Sequence, residues 1–199
     1  MNTPIRVGFA VCGSFCSLAQ AMTTLEELTA RDYELWPIMS ENAYATDTRF
    51  GRAALFIEQM EALCARPVRH TIAETEPIGP RRLLDVLTVV PCTGNTLAKL
   101  ACGITDTSVT MACKAHLRNE RPLVLAIASN DALAANWHNI GRLSARKHVY
   151  FVPFGQDDPV QKQNSLVSDF SLLPATLEAA LAGSQLQPLL TPPACPVSH

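Results

Sequence analysis

The stretch Val86–Ala112, VLTVVPCTGNTLAKLACGITDTSVTMA, sets small hydroxyl, amide and glycine residues between an apolar strand and a helix. The strand turns through Pro91-Cys92-Thr93-Gly94-Asn95-Thr96 and hands over to the helix. Such a junction leaves backbone N–H groups free to meet an anion. Asn95 carries an amide that both donates and accepts. It is a candidate ligand contact, or else the cap of a helix beginning at Thr96.

Three other bends carry the same chemistry. Gly13-Ser14 follows IRVGFAV, Ser40-Glu41-Asn42 follows YELWPIM, and Ser129-Asn130 follows PLVLAIA. Strand ends on one edge of a parallel sheet converge, so these four bends are expected to line one crevice. Arg49, beside Phe50 in TDTRFG, is a mid-loop guanidinium of the kind that clamps a carboxylate bidentately. The plainer reading is a surface salt bridge. Cys92 has no His or Lys near it in sequence and reads as a small packed thiol. His116, His138 and His148 show no ligand spacing, and no metal site is expected.

These residues need a scaffold. Ile5–Val11, Tyr33–Met39, Leu83–Val90, Pro122–Ala128 and His148–Val152 read as strands buried by apolar side chains, with Pro37 sending the second to an edge. Pro67–Ile72 reads as a further short strand. Helices are expected over Phe15–Arg31, capped by Ser14 or Ser17, and over Gly51–Cys64. Others are expected over Leu97–Cys102, Asp106–Leu117, Asn130–Arg146 (capped by Asn130 or Asp131) and Ser168–Ala182. Residues 40–50, 73–82 and 154–167 read as loops. Strands alternating with helices imply an α/β protein: three α/β/α layers around a mostly parallel sheet, flavodoxin-like or Rossmann-like. We expect one domain over residues 1–190, then a proline-rich tail at 191–199 that is poorly ordered.

Bulk properties narrow the function. The 199 residues are 48% hydrophobic and 17% charged, with a formal net charge of −2. That leaves no strong basic field for nucleic acid or a membrane surface. Seven cysteines without CxxC spacing fit a reducing compartment, no apolar run reaches the roughly 18–20 residues of a membrane span, and no signal peptide precedes the first strand. A cytoplasmic protein is expected.

Neither GxGxxG nor GxxxxGK[ST] is present, which argues against a dinucleotide-binding Rossmann unit and a P-loop NTPase. A flavin mononucleotide needs neither motif: hydroxyls and backbone N–H groups hold one phosphate, and the ring lies on apolar or amide groups.

The segment PCTGNTLAKLACGITDTSVTMA resembles the signature region of the flavoprotein family that includes phosphopantothenoylcysteine decarboxylase, peptidyl-cysteine decarboxylases and flavin prenyltransferases. The matching residues are Pro91, Asn95, Thr96, Ala101, Gly103, Ile104 and Asp106. The runs GFAVCGSFCSL, TDTRFG, EPIGP, LRNERPLVLAIASNDAL and YFVPFGQDDP extend the resemblance from Ile5 to Leu190, toward a branch that works with a separate dehydrogenase-like subunit. What the resemblance implies is FMN as cofactor and a small cyclic dicarboxylate from the diaminopimelate and lysine route as substrate. It also implies a homo-oligomer, trimeric or higher. It would put Gly13 and Ser14 at the flavin phosphate or ribose, and Thr93, Gly94, Asn95 and Thr96 along phosphate and ring. Ser40 would lie at the next turn, Ser129 and Asn130 at the ring edge, and Asn95 and Arg49 at the reacting substrate. One departure stands out: the cysteine decarboxylases carry a catalytic His about fourteen residues before the signature proline, where this chain has Pro77, and the nearest histidine is His70. A cysteine decarboxylase, or a partner subunit with no catalysis of its own, are the competing readings.

Overall fold

Each of the four long strands is a seven-residue, predominantly apolar run, and burying both faces of such runs requires helices on both sides of the sheet. The structure, a computed structural model, describes residues 4–192. Strands β1 (Ile5–Val11), β2 (Tyr33–Met39), β3 (Val86–Cys92), β4 (Leu123–Ser129) and β5 (Val149–Phe151) form a parallel sheet in the order β2-β1-β3-β4-β5. Pro37 sits on β2, at the edge, as expected. Short β6 (Phe154–Gln156) and β7 (Leu166–Ser168) add an antiparallel extension. The amino half of β4 pairs with β5, and its carboxyl end pairs with β7 through Ala128–Val167 and Ser129–Leu166.

Side chains alternate across the sheet into two cores. On one face Val7, Phe9, Val86 and Val124 pack on α1 (Leu18–Thr29), α3 (Ala53–Cys64) and α8 (Leu173–Leu181). On the other face Leu87, Val89, Leu125 and Ile127 pack on α5 (Gly94–Cys102), α6 (Ser108–Leu117) and α7 (Trp137–Ser144). Two short helices, α2 (Glu41–Ala45) and α4 (Ile72–Thr75), complete the set. This is the three-layer α/β/α fold expected from the sequence.

Several local expectations are corrected. Residues 67–72 form no strand. Arg69 makes only a single bridge to Ile38, and a capping box between Thr71 and Glu74 starts α4 within the expected strand. The 40–50 loop contains α2, and the 154–167 loop contains β6 and the start of β7. Residues 130–136 are turn rather than helix, so α7 begins only at Trp137. Strand β3 runs on to Cys92 and α5 starts at Gly94, which compresses the expected six-residue turn to Thr93 alone. Leu190 bridges Phe154 in parallel, while residues 193–199, most of the expected tail, lie outside the described residues. No helix among the described residues is long and apolar enough to cross a membrane.

The amino edge of the sheet is closed by charge. Arg6 grips Asp85 through Nε at 3.0 Å and a terminal nitrogen at 2.8 Å, and Arg121 reaches the same carboxylate at 2.9 Å. The paired guanidinium of Arg6 holds the Asp85 carboxyl below the usual range. His116, 1% exposed, bonds the Pro122 carbonyl through Nε2 at 2.9 Å, and burial pushes its imidazole down to about 4.

Candidate functional site

At the opposite edge the chain turns outward from β1 toward β2 and from β3 toward β4. This reversal opens a crevice between neighbouring strand ends. A cavity of about 840 Å³ lies there, within the range of ligand pockets, about 300–1,000 Å³. Gly13, Ser14, Thr93, Gly94, Asn95, Ser129, Asn130 and Arg49 line it. Three of the four expected bends therefore converge. The fourth does not: Ser40 caps α2, accepting from Ala43 N at 3.3 Å, and Glu41 accepts from Ser108 N at 2.8 Å. Edge strand β2 thus spends its bend on holding helices α2 and α6. Thr96 also stands behind the cavity rather than in its lining.

The first bend is a tight turn, Ser14 N to Cys12 O at 2.9 Å, leading into a 3-10 segment at Phe15–Ser17. Neither Ser14 nor Ser17 caps the helix. Their hydroxyls face one another at 3.3 Å and keep capacity for a ligand. Phe15, Cys16 and Ser17 join the lining.

The second bend is organised by Thr93. Its hydroxyl accepts from Thr96 N at 3.2 Å and so caps α5. Asn95 is therefore not the cap: it is exposed in the first helical turn, at the cavity. The Gly94 and Asn95 N–H groups, first in the helix, have no intrahelical acceptor. Thr96 Oγ1 meets Thr93 Oγ1 at 3.0 Å and donates to Cys12 Sγ at 3.2 Å, tying the ends of β1 and β3 together. Burial pushes the Cys12 thiol up to about 11 and Cys92 well above its usual value. Both remain protonated packing groups rather than nucleophiles.

Gly94 is required by packing. A Cβ there would stand 2.6 Å from Ser129 Oγ and from Asn136 Nδ2, and 2.7 Å from Asp131 Oδ1. The β3 and β4 bends touch at this point. Behind it Asp131 accepts from Ser129 Oγ at 2.5 Å and from Asn136 Nδ2 at 3.0 Å. This carboxylate folds residues 130–136 into a turn in place of the expected helix.

Arg49 and Phe50 sit at the tip of a two-residue turn closed by Thr48 N to Gly51 O at 3.0 Å and Gly51 N to Thr48 O at 3.1 Å. The guanidinium lies 4.8 Å from the Phe50 ring centroid. Among the described residues Arg49 makes no ion pair, so the plain salt-bridge reading does not hold. The outer wall comes from the segment between β6 and β7, where Lys162 pairs with Asp157 at 2.5 Å. Sequence reading missed this wall because its short strands have no alternation. In sequence Asn130 and Asp131 are both open as helix caps, because a Ser-Asn-Asp run suits one equally well.

No histidine lines the cavity among the described residues. His70 stacks on Tyr44 with centroids 3.6 Å apart, and Pro77 lies in a 3-10 turn at Glu76–Ile78. The Arg66 and Arg69 guanidinium groups lie 4.2 and 4.8 Å from the Trp36 ring centroid, while Trp137 is half exposed away from the cavity. A smaller cavity of about 370 Å³ beside β5 gathers none of the bends.

Known proteins resemble the chain throughout. The profile of the Flavoprotein family matches residues 1–169. The B subunit of dipicolinate synthase from Bacillus subtilis (strain 168) is 44% identical over 185 residues, covering 93% of this chain and 92% of the relative. The crystal structure of the corresponding B subunit of dipicolinate synthase from Bacillus halodurans superimposes with a TM-score of 0.88 at 40% identity, over 97% of this chain and all of that one. The FMN-dependent cysteine decarboxylase SpaF shares the fold, with a TM-score of 0.66 at 23% identity over 90% of this chain and 97% of its own.

Proposed function

The chain belongs to the Flavoprotein family, and from that premise we propose that its carboxyl-edge cavity binds FMN and that the protein acts as the B-type subunit of a dipicolinate synthase. Its partner is then a dehydrogenase-like A subunit, and its substrate dihydrodipicolinate or the hydrated precursor. The observation that carries this reading is the meeting of three bends and a guanidinium with no ion pair among the described residues in one cavity at the β1/β3 switch point. Flavodoxin, whose strands run in the same order, holds FMN at that switch point.

The residues fit the cofactor. The cavity has room for a tricyclic ring, helix α5 offers two unused N–H groups, and the hydroxyls of Ser14 and Ser17 are uncommitted to helix capping. Gly13 and Ser14 hold the phosphate or ribose. Thr93, Gly94 and Asn95 run along phosphate and ring, and Ser129 with Asn130 meets the ring edge. Thr96 acts through Thr93 by fixing its hydroxyl. When bound, FMN supplies a two-electron acceptor suited to aromatisation of a dihydropyridine. Arg49 and Asn95 take the substrate: the guanidinium pairs with one carboxylate, and the amide orients the ring beside it. Because Arg49 makes no ion pair among the described residues, engaging the substrate breaks none of theirs.

The same reading puts the protein in the mother-cell cytoplasm of a sporulating bacterium, as a trimer or larger homo-oligomer. Exposed Phe50, Leu55 and Trp137, 46–50% accessible, are apolar surface available to such an assembly. The test is an absorption spectrum of the purified protein after FMN addition, followed by titration with pyridine-2,6-dicarboxylate. We expect a bound-flavin spectrum that the dicarboxylate perturbs, and loss of that perturbation in Arg49→Ala. No binding at micromolar FMN would sink the assignment.

A further inference from the structure

Ser129, at the end of β4, lines the cavity and spends its hydroxyl proton on Asp131, with Oγ and Oδ1 2.5 Å apart. The second carboxylate oxygen accepts from Asn136 Nδ2 at 3.0 Å, and Asn136 Oδ1 accepts from Asn139 Nδ2 at 3.0 Å. Asn136 and Asn139 are 6% and 4% exposed, so the far end of this chain of bonds is buried, while Ser129 and Asp131 stand half-buried at the cavity wall. A carboxylate only accepts, so Ser129 has no proton left for a ligand. A ligand that reaches Ser129 from the cavity therefore meets only an acceptor.

We infer that Ser129 is an obligate hydrogen-bond acceptor that reads the N3–H of oxidised FMN, with Asp131 as the positioning residue that forbids the opposite polarity. This rests on the FMN reading. The oxidised isoalloxazine has one N–H, at N3, between two carbonyls. The protein offers the complementary order. The Ser129 acceptor sits against Gly94, whose missing Cβ would lie 2.6 Å from Oγ. The unused N–H groups of Gly94 and Asn95 are donors for a flanking carbonyl. A ligand presenting a carbonyl to Ser129 would face lone pairs against lone pairs, which selects for an imide edge.

The experiment titrates the full chain with FMN and with 3-methyl-FMN, following quenching of flavin fluorescence. Wild type is expected to bind the methylated analogue at least about tenfold more weakly, the size of one hydrogen bond to a polarised group. Ser129→Ala is expected to bind both flavins alike. Asp131→Asn keeps the side-chain volume but gives Ser129 a donor partner, freeing its proton toward the cavity. That variant is expected to bind FMN about tenfold more weakly and to lose the discrimination, its thermal midpoint reporting that it is folded. Equal binding of the two flavins by wild type overturns the inference, as does a discrimination that Asp131→Asn retains, since that would be steric. FMN binding without discrimination overturns this inference alone, whereas no FMN binding by wild type overturns the cofactor assignment with it. Should Asp131→Asn not fold, Asp131→Ala takes its place: it keeps Ser129 Oγ and frees its proton, so lost discrimination supports the inference and retained discrimination ends it.

Discussion

The two edges of the sheet are built from different residue types and put to opposite uses, charged groups at the amino edge and small hydroxyl, amide and glycine residues at the carboxyl edge. At the amino edge Asp85 is shared by Arg6 and Arg121, and His116 is buried as a neutral ring on a carbonyl. Each of these groups is occupied by another part of the chain. At the carboxyl edge Ser14, the first N–H groups of α5 and Arg49 keep capacity in reserve. A saturated edge stabilises and has nothing left to offer a ligand, whereas an unsaturated one recognises and gives up some stability. Substitutions should therefore separate stability from binding according to the edge they touch.

The largest stability loss is expected from Asp85→Ala, which leaves two half-buried guanidinium groups without their carboxylate. We expect about 3 kcal/mol in urea denaturation, at the low end for a broken buried pair because both partners are partly exposed. FMN affinity of the folded fraction should not change. A fall in affinity would mean that the edges are coupled.

Acid should act on the same edge. The His116 value is lowered in the folded state, to about 4, so the unfolded chain binds the proton more readily between roughly pH 6.5 and 4. Stability is full above the unfolded value and is lost as pH falls through that window, by about 3 kcal/mol in all. His116→Gln, which keeps an N–H for the Pro122 carbonyl, should flatten the dependence. A variant as pH-sensitive as wild type would show that another group is responsible.

Gly94→Ala attacks the carboxyl edge, where the new methyl meets the Ser129, Asp131 and Asn136 side chains. A cost of about 2 kcal/mol is typical of overpacking. FMN affinity should fall by more than tenfold, because the two bends are forced apart. Affinity equal to wild type would place the ligand elsewhere. Thr93→Ala removes a helix cap and should cost about 1 kcal/mol while weakening FMN. The smallest stability effect belongs to Arg49→Met, within about 0.5 kcal/mol for an unpaired exposed residue, yet dicarboxylate affinity should drop about tenfold. Calorimetric titration measures it, and an unchanged affinity would release Arg49 from the site.

How much of this was legible in the chain depends on how local the cause was. IRVGFAV and PLVLAIA are apolar runs whose burial is dictated by their own residues, and their strands fall where the sequence puts them. PVRHTI looks like a strand, but Glu74 reaches back to the His70 and Thr71 N–H groups and starts a helix instead. Residues 130–136 look helical until Asp131 finds Ser129 and Asn136. Strands β6 and β7 exist because the far half of β4 has an uncovered edge, which no window of sequence discloses. The site divides in the same way. Three bends were readable from strand-end chemistry, while Ser40 is diverted locally to cap α2 and Glu41 is diverted to α6 by Ser108, 67 positions away.

The segment that walls the cavity also finishes the sheet. Phe154 in β6 donates to the Leu189 carbonyl and accepts from Thr191, both at 3.0 Å, and a Cβ at Gly155 would strike the Thr191 backbone at 2.7 Å. An open outermost strand is a template for pairing with another molecule. Here the returning chain occupies that template, with a glycine opposite so that it can lie close. Residues 157–167 wall the cavity and residues 189–191 occupy the outer strand from which that wall departs, so the boundary of the cavity hangs from an edge already closed to a second molecule.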